Sequence, residues 1–265
     1  MVSIHKTDGI LHKLVFEVRY RFGFTYLDRC GRFINRVMKE MPEWVLASDV
    51  SPQGAPLVSL KNGTRFSFGS YKYDFSLEQQ AGGDALAARD VNAFRDQVGF
   101  AGKLLQDEMA LTEFTRVGFR VWYLFHANSK PHSEQIIREC GFFDTSPSVA
   151  PAFGGDVEAQ SHTVIIKSPD RSYRISINGV ERQMQVDLGE AALSLKPRTL
   201  SSGQKEALLA KMKATKRVKA NPEFAMMIDI DAFIDDPHDI DHRDFIERSM
   251  AFIEEGLPKA FRKTA

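Results

Sequence analysis

The amino-acid sequence predicts an α+β protein of two similar halves, each with mostly antiparallel strands covered by helices on one face. Two observations lead to this prediction. Several short segments alternate apolar and polar residues, which is typical of strands with one face in water. Longer segments repeat apolar residues at helical spacing, but strands and helices do not alternate regularly as a doubly wound parallel sheet requires.

Composition narrows the class of protein. The chain has 265 residues, 35 basic and 35 acidic side chains, 43% hydrophobic residues and two cysteines. The length allows one large domain or two domains of about 130 residues each. The zero net charge excludes a globally basic nucleic-acid-binding protein, and two cysteines cannot form a disulfide framework. No export signal or apolar stretch of about 20 residues is present, so we expect a cytoplasmic protein outside the membrane.

The first half contains strands, helices and one hairpin. Alternation over 13–22 predicts a strand, and an apolar stripe from Tyr26 to Met41 predicts a helix that ends before Pro42. Asn62-Gly63 suits the positive φ angles of a type I′ turn and predicts a hairpin. The remaining predicted elements of this half are a strand at 71–77, a helix at 91–111, a strand at 116–125 and a helix at 131–140.

A segment rich in Pro, Gly and Ser, 144–160, predicts a linker between an N-terminal half, 1–143, and a C-terminal half, 161–265. In the second half, Asn178-Gly179 predicts a second hairpin. The other predicted elements are a strand at 163–167, a helix at 201–219, a strand at 224–231 and a helix at 241–257. Both halves therefore have the order hairpin, helix, strand, helix, without residue identity between them.

Acidic residues are concentrated near the C-terminus, where seven aspartates and two histidines lie between positions 229 and 244. Asp229 and Asp231 alternate onto one face of the predicted strand and, with His238, are candidate ligands for Mg²⁺, Mn²⁺ or Zn²⁺. The spacing matches neither a calcium-binding EF-hand loop nor a His-Glu-x-x-His zinc motif. The alternative interpretation is structural, because aspartate is favoured in turns and at helix N-termini.

A second candidate site lies on the strand at 116–125. Arg116, Gly118 and Arg120 share the face opposite the buried aromatic residues. Glycine allows close approach to the backbone, and the two arginines suit an anionic ligand. The alternative is cross-strand ion pairing with Glu17 or Asp74.

A basic segment at 205–219 carries six cations against one acid. Its Lys211 and Lys216 are candidate contacts for a partner protein. Nucleic acid is the alternative partner, which the lack of aromatic residues for base stacking disfavours. Phosphate-binding loops, dinucleotide-binding glycine motifs and nucleophile elbows are absent, so the sequence predicts no catalytic residue and no cofactor.

Three segments occur in a fixed order: Leu14-Val-Phe-Glu-Val-Arg-Tyr20, Arg116-Val-Gly-Phe-Arg-Val121 and Met227-Ile-Asp-Ile-Asp-Ala-Phe233. In these segments the chain resembles a sporadically distributed family of bacterial proteins of similar length with no established biochemical function. The resemblance departs at 144–160 and in the histidine-bearing stretch after Asp235. It implies a cytoplasmic bacterial accessory protein, encoded beside defence or toxin–antitoxin genes, and it implies no catalytic residues.

Three functions follow from these observations. The first is a non-enzymatic interaction subunit or regulator that binds a protein partner through its sheet face or through residues 205–244. The second is a metal-dependent hydrolase or nuclease that uses Asp229, Asp231 and His238. The third is a small-ligand-binding protein in which Arg116 or Arg120 orients the ligand. Clear fold signals without a catalytic motif favour the first function, and the sequence leaves the oligomeric state open.

Overall fold

The computed structural model describes residues 9–79, 84–140, 161–182 and 223–260. Within them the chain forms nine strands and four helices, which confirms the α+β class. The strands are β1 (Gly9–Tyr20), β2 (Trp44–Leu46), β3 (Ala55–Ser59), β4 (Arg65–Phe68), β5 (Lys72–Glu78), β6 (Phe114–Ala127), β7 (Ser161–Lys167), β8 (Ser172–Arg182) and β9 (Glu223–Asp235). The helices are α1 (Thr25–Glu40), α2 (Ala88–Met109), α3 (Lys130–Glu139) and α4 (His242–Ala260). None of these described helices has the length and apolar character needed to cross a membrane.

All nine strands belong to one sheet with the order β2-β3-β4-β5-β1-β6-β9-β8-β7. Every neighbouring pair in it is antiparallel. Pairing between β6 and β9 joins strands of the predicted N-terminal half to strands of the predicted C-terminal half. The predicted linker at 144–160 lies outside the described residues, and the similarity of the two halves stays a prediction.

The described helices pack on one face of this sheet. Alternation along β1 places Leu14, Phe16 and Val18 on that face, where all three are fully buried. Aromatic pairs join helices to strands there, with ring centroids 4.8, 6.5 and 6.2 Å apart: Phe33–Phe68, Phe94–Phe119 and Phe245–Phe16. We call the other side the helix-free face, because no helix in the described part of the chain packs on it.

The first Asn-Gly pair lies in the turn between β3 and β4, but the turn is not the predicted type I′, because Gly63 has a positive φ angle and Asn62 does not. Gly63 has a φ angle of 79°, and Oδ1 of Asn62 accepts a hydrogen bond from the backbone N–H of Thr64 at 3.1 Å. The strands on either side, β3 and β4, pair in antiparallel fashion. The hairpin predicted around 62–63 is confirmed. The helix predicted at 201–219 lies outside the described residues.

The prediction of a second hairpin at Asn178-Gly179 is wrong, because β8 continues through both residues. The turn between β7 and β8 lies earlier, where the backbone N–H of Ser168 donates to the carbonyl of Arg171 at 3.0 Å. Gly179 instead packs against the side chain of Glu134 on α3. A Cβ atom at this position would lie 2.6 Å from Oε1 of Glu134 on α3. The glycine therefore lets α3 approach the sheet and does not form a turn.

A buried polar contact connects α2 and α4 to the sheet. The hydroxyl of Tyr73 on β5 accepts a hydrogen bond from Nε2 of Gln106 at 3.0 Å and shares a second hydrogen bond with Nε2 of His242, 2.5 Å away. All three side chains are buried. Burial lowers the pKa of His242 to about 4, so its imidazole is neutral at pH 7.

Gly102→Ala is expected to destabilise the protein although alanine is the better helix former. A Cβ atom at 102 would lie 2.7 Å from Nε2 of His242, whose ring is held by Tyr73. Overpacking of this kind costs about 1–3 kcal/mol. The matched control is Gly31→Ala in α1, where nothing lies within 4 Å of the added Cβ. The control should raise the free energy of unfolding by about 0.5–1 kcal/mol. If urea denaturation showed the same increase for both variants, the close contact between Gly102 and His242 would be contradicted.

Acid is expected to weaken the fold through His242. Its pKa is about 4 in the folded protein against an ordinary value of 6.5. Below pH 6.5 the unfolded chain therefore binds a proton that the folded chain does not, and stability falls until the pH reaches about 4. The loss over this range is about 3 kcal/mol. The free energy of unfolding, measured by urea denaturation, should fall more steeply with decreasing pH in the wild type than in His242→Gln. The same pH dependence in both proteins would show that His242 does not cause the loss.

Candidate functional site

The centre of the candidate site is Asp231, a buried carboxylate on the helix-free face of β9. It lies opposite Arg120 of β6 and Arg174 of β8. Its Oδ2 accepts hydrogen bonds from Nη2 of Arg116 at 2.8 Å and from Nη2 of Arg174 at 3.0 Å. Arg120 binds the neighbouring Asp229 through Nε, at 2.6 Å from Oδ1, and through Nη2. Three arginines from two strands are thus held by two carboxylates of the strand between them.

Gly118 allows Arg116 to reach Asp231. A Cβ atom at 118 would lie 2.8 Å from Nη1 of Arg116, so the guanidinium group lies over the glycine. There it is between the carboxylate of Glu17, at 3.6 Å, and the ring of Phe233, at 4.8 Å from Cζ. These two residues are the register neighbours of Gly118 on β1 and β9. The group that approaches the backbone at Gly118 is therefore an arginine of the same strand.

Glu17 extends the charged cluster towards β5. It accepts hydrogen bonds from Nε of Arg19 at 2.7 Å and from Nζ of Lys72 at 3.0 Å. Lys72 also contacts Asp74, at 3.3 Å. Burial by itself would raise the pKa of Glu17, but the hydrogen bonds and charges of Lys72 and Arg19 outweigh it and hold this pKa below its ordinary value. Burial raises the pKa of Asp74.

Cross-strand ion pairing, one of the two interpretations of the Arg116–Arg120 face, is confirmed. The expected partner Glu17 does contact Arg116, whereas Asp74 is bound by Lys72. The stronger partners of the two arginines are Asp231 and Asp229, the same carboxylates that their spacing suggested as metal ligands. Local spacing cannot show that these carboxylates lie beside the arginines, because the strands are about a hundred positions apart.

A pocket of about 320 Å³ lies over the cluster. We call it the arginine pocket. It is lined by charged and apolar side chains and one glycine: Val15, Glu17, Arg19, Arg116, Gly118, Arg120, Ile165, Arg174, Asp231 and Phe233. Asp231 is the most deeply buried charged side chain of this lining. The side chain of Asp231 is 6% exposed, against 37% for Arg120 and 44% for Arg174. The outer charged surface is therefore formed by guanidinium groups that buried carboxylates hold in place.

The three candidate metal ligands lie in two different places. Asp229 and Asp231 share a face as predicted, but arginines bind both carboxylates. His238 lies in the exposed segment between β9 and α4. In the described ranges no three His, Cys, Asp or Glu side chains are close enough to hold a metal ion together. Nearby, Oδ1 of Asp241 accepts two backbone N–H groups of the first turn of α4 at 3.0 Å, which is the capping role considered as the alternative.

Five residues that line the pocket were not identified from the sequence, namely Val15, Arg19, Ile165, Arg174 and Phe233, and two predicted site residues lie outside the described residues. Arg174 alternates with the apolar residues of β8, so its place on the polar face was detectable, whereas its proximity to Asp231 was not. Lys211 and Lys216 lie outside the described residues. No protein-family model matches the chain, and no curated protein sequence matches it significantly.

Asp231→Asn is expected to destabilise the protein because Arg116 and Arg174 would lose the carboxylate they share. Removing one partner of a buried ion pair costs about 3–5 kcal/mol, and the partial exposure of these arginines lowers the expected loss to about 2–3 kcal/mol. The control is Asp235→Asn, an exposed position on the same face of β9, which should change stability by less than about 0.5 kcal/mol. Equal unfolding midpoints in urea for the two variants would contradict a central role for Asp231.

Proposed function

We propose that this protein is a non-enzymatic interaction subunit or regulator that binds a partner protein through its helix-free face. The observation that carries the proposal is the layered arrangement of the arginine pocket, where buried carboxylates fix partly exposed arginines. Flexible arginine side chains lose conformational freedom on binding. Arg116, Arg120 and Arg174 are already held by Asp229 and Asp231, so less of this entropy remains to be lost when a partner binds.

Apolar side chains around the pocket support the same function. Val15, Ile165 and Phe233 line it together with the arginines, and Ile165 is 59% exposed on β7. Protein interfaces typically combine apolar contact area with arginine side chains, and arginine is enriched among the residues that contribute most to binding. The helix-free face supplies both.

The ionisation states of the pocket favour binding over proton transfer. The pKa of Glu17 lies below its ordinary value, because Lys72 and Arg19 outweigh the effect of burial. The pKa of Arg120 lies above its ordinary value, chiefly because of the hydrogen bond to Asp229. Both side chains therefore stay charged at neutral pH. A general acid or base is instead most effective when its pKa lies near the working pH.

The proposed setting is the cytoplasm of a bacterium, in an accessory system encoded beside defence or toxin–antitoxin genes. This part of the proposal rests on the family resemblance of the segments 14–20, 116–121 and 227–233. These segments belong to β1, β6 and β9, which are adjacent in the sheet. They carry Glu17, both pocket arginines of β6 and the two carboxylates that hold them, so the resemblance coincides with the candidate site.

Site-specific photo-crosslinking tests the proposed face. Benzoylphenylalanine at Thr163 or Ile165, on the helix-free side of β7, should capture the same partner protein in cells of the native host. The same group at Lys39, an exposed position on α1, is the control and should not capture it. Purified partner should then bind the Ile165→Asp variant about tenfold more weakly than the wild-type chain.

Capture of the same proteins from all three positions would overturn the proposal, and so would no capture from Thr163 and Ile165. Full affinity of the purified partner for Ile165→Asp would also contradict it.

A further inference from the structure

Among the described residues, the connected ion pairs around the arginine pocket contain one more cation than carboxylates. This network runs across the sheet and contains four cations and three carboxylates: Lys72, Arg19, Arg116 and Arg174 with Asp74, Glu17 and Asp231. The adjacent Arg120–Asp229 pair is neutral. The connected network therefore has a formal charge of +1, which one monoanionic group complements.

The arginines also keep hydrogen-bond donors for such a group. Arg174 uses only Nη2 to bind Asp231, and Arg120 uses Nε and Nη2 to bind Asp229. Their remaining N–H groups form no hydrogen bond to another described residue. Both side chains line the pocket and are partly exposed. A guanidinium group presents paired donors that match the two oxygens of a carboxylate.

The floor of the pocket lacks the backbone donors that many sites for phosphates and terminal carboxylates use, so binding here depends on the arginine side chains. Both groups are commonly bound by backbone N–H groups, at helix N-termini or in backbone nests. The floor here consists of β1, β6, β9 and β8, each of which pairs with a strand on both sides, so their backbone N–H groups are used in the sheet. The walls contributed by Val15, Ile165 and Phe233 are apolar and suit the methylene groups of an acidic side chain.

We infer that the arginine pocket receives one acidic side chain, an aspartate or glutamate, of the partner protein. This inference rests on the proposed function and names the group that its interface recognises. The carboxylate is bound by Arg120 and Arg174 above the buried Asp231. The methylene groups of the side chain contact Ile165 and Phe233.

Titration with a minimal probe tests the inference. N-acetyl-glutamate N-methylamide carries one side-chain carboxylate and no free terminus, and N-acetyl-glutamine N-methylamide is its neutral isostere. Proton–nitrogen spectra of the arginine Nε–H groups should show saturable shifts for Arg120 and Arg174 with the glutamate probe only. Arg174→Gln should weaken this binding by about fivefold or more. Arg65→Gln, on the same face of β4 but outside the pocket lining, is the matched control and should leave it unchanged.

A second variant keeps the test independent of changes around Asp231. Ile165→Asp places a negative charge at an exposed position of the pocket wall and should also weaken binding of the glutamate probe. Equal responses to both probes, equal affinity of Arg174→Gln and the wild type, or no saturable shift would overturn the inference. Tighter binding of inorganic phosphate, or of N-acetylalanine with its terminal carboxylate, would overturn it as well.

The probe titration and the crosslinking experiment test two different hypotheses, so either one can be contradicted without the other. Capture at Ile165 without a response to the glutamate probe would support the protein-binding function and contradict the binding of an acidic side chain in the pocket. A glutamate-specific response without capture at Thr163 and Ile165 would support a carboxylate-binding site and contradict the binding of a partner protein to this face.

Discussion

The antiparallel register between β6 and β9 is the constraint on which the rest of the structure depends. It runs without a break from Arg116 opposite Asp235 to Ala127 opposite Phe224. Because side chains alternate along a strand, this register fixes both faces of the sheet together. A shift of β9 by one residue would bring Asp231 to the helix side and expose Ile230. Burial of the apolar core and formation of the arginine pocket therefore require the same alignment.

The two faces are stabilised by different interactions. On the helix side, aromatic and aliphatic residues exclude water, and the few polar groups form local contacts such as the one between Tyr73 and His242. On the helix-free face, carboxylates are almost as deeply buried as the core, but arginines bind them. Burying a charge is unfavourable unless it is paired. The arginines around Asp229 and Asp231 provide that pairing and remain partly exposed at the surface.

Local patterns in the sequence predicted most of the described elements and the sidedness of their strands, but neither the short strand β2 nor the continuity of β8 through Asn178-Gly179. Alternation placed Arg116 and Arg120 together on the polar face of one strand and Asp229 with Asp231 on one face of another, as the structure has them. The pairing between these strands was not predictable, because neither strand specifies its neighbour in the sheet. For that reason the aspartates suggested a metal site, although arginines neutralise them. Gly179 was wrongly predicted to form a turn for a similar reason, because the residue that it packs against, Glu134, lies on α3 and is distant in the sequence.

The position of β9 in the sheet has a consequence for how the site is assembled during synthesis. This strand is made last among the described strands, yet it lies between β6 and β8. Until the ribosome has released it, Arg116 and Arg120 lack the carboxylates of β9, and the hairpin of β7 and β8 has no neighbouring strand to join. Pairing between such distant segments is slow relative to local folding. Before β9 arrives, the nascent chain therefore carries more cations than carboxylates on this face, and the arrival of one strand gives Arg116 and Arg120 their aspartate partners and joins β8 to β6.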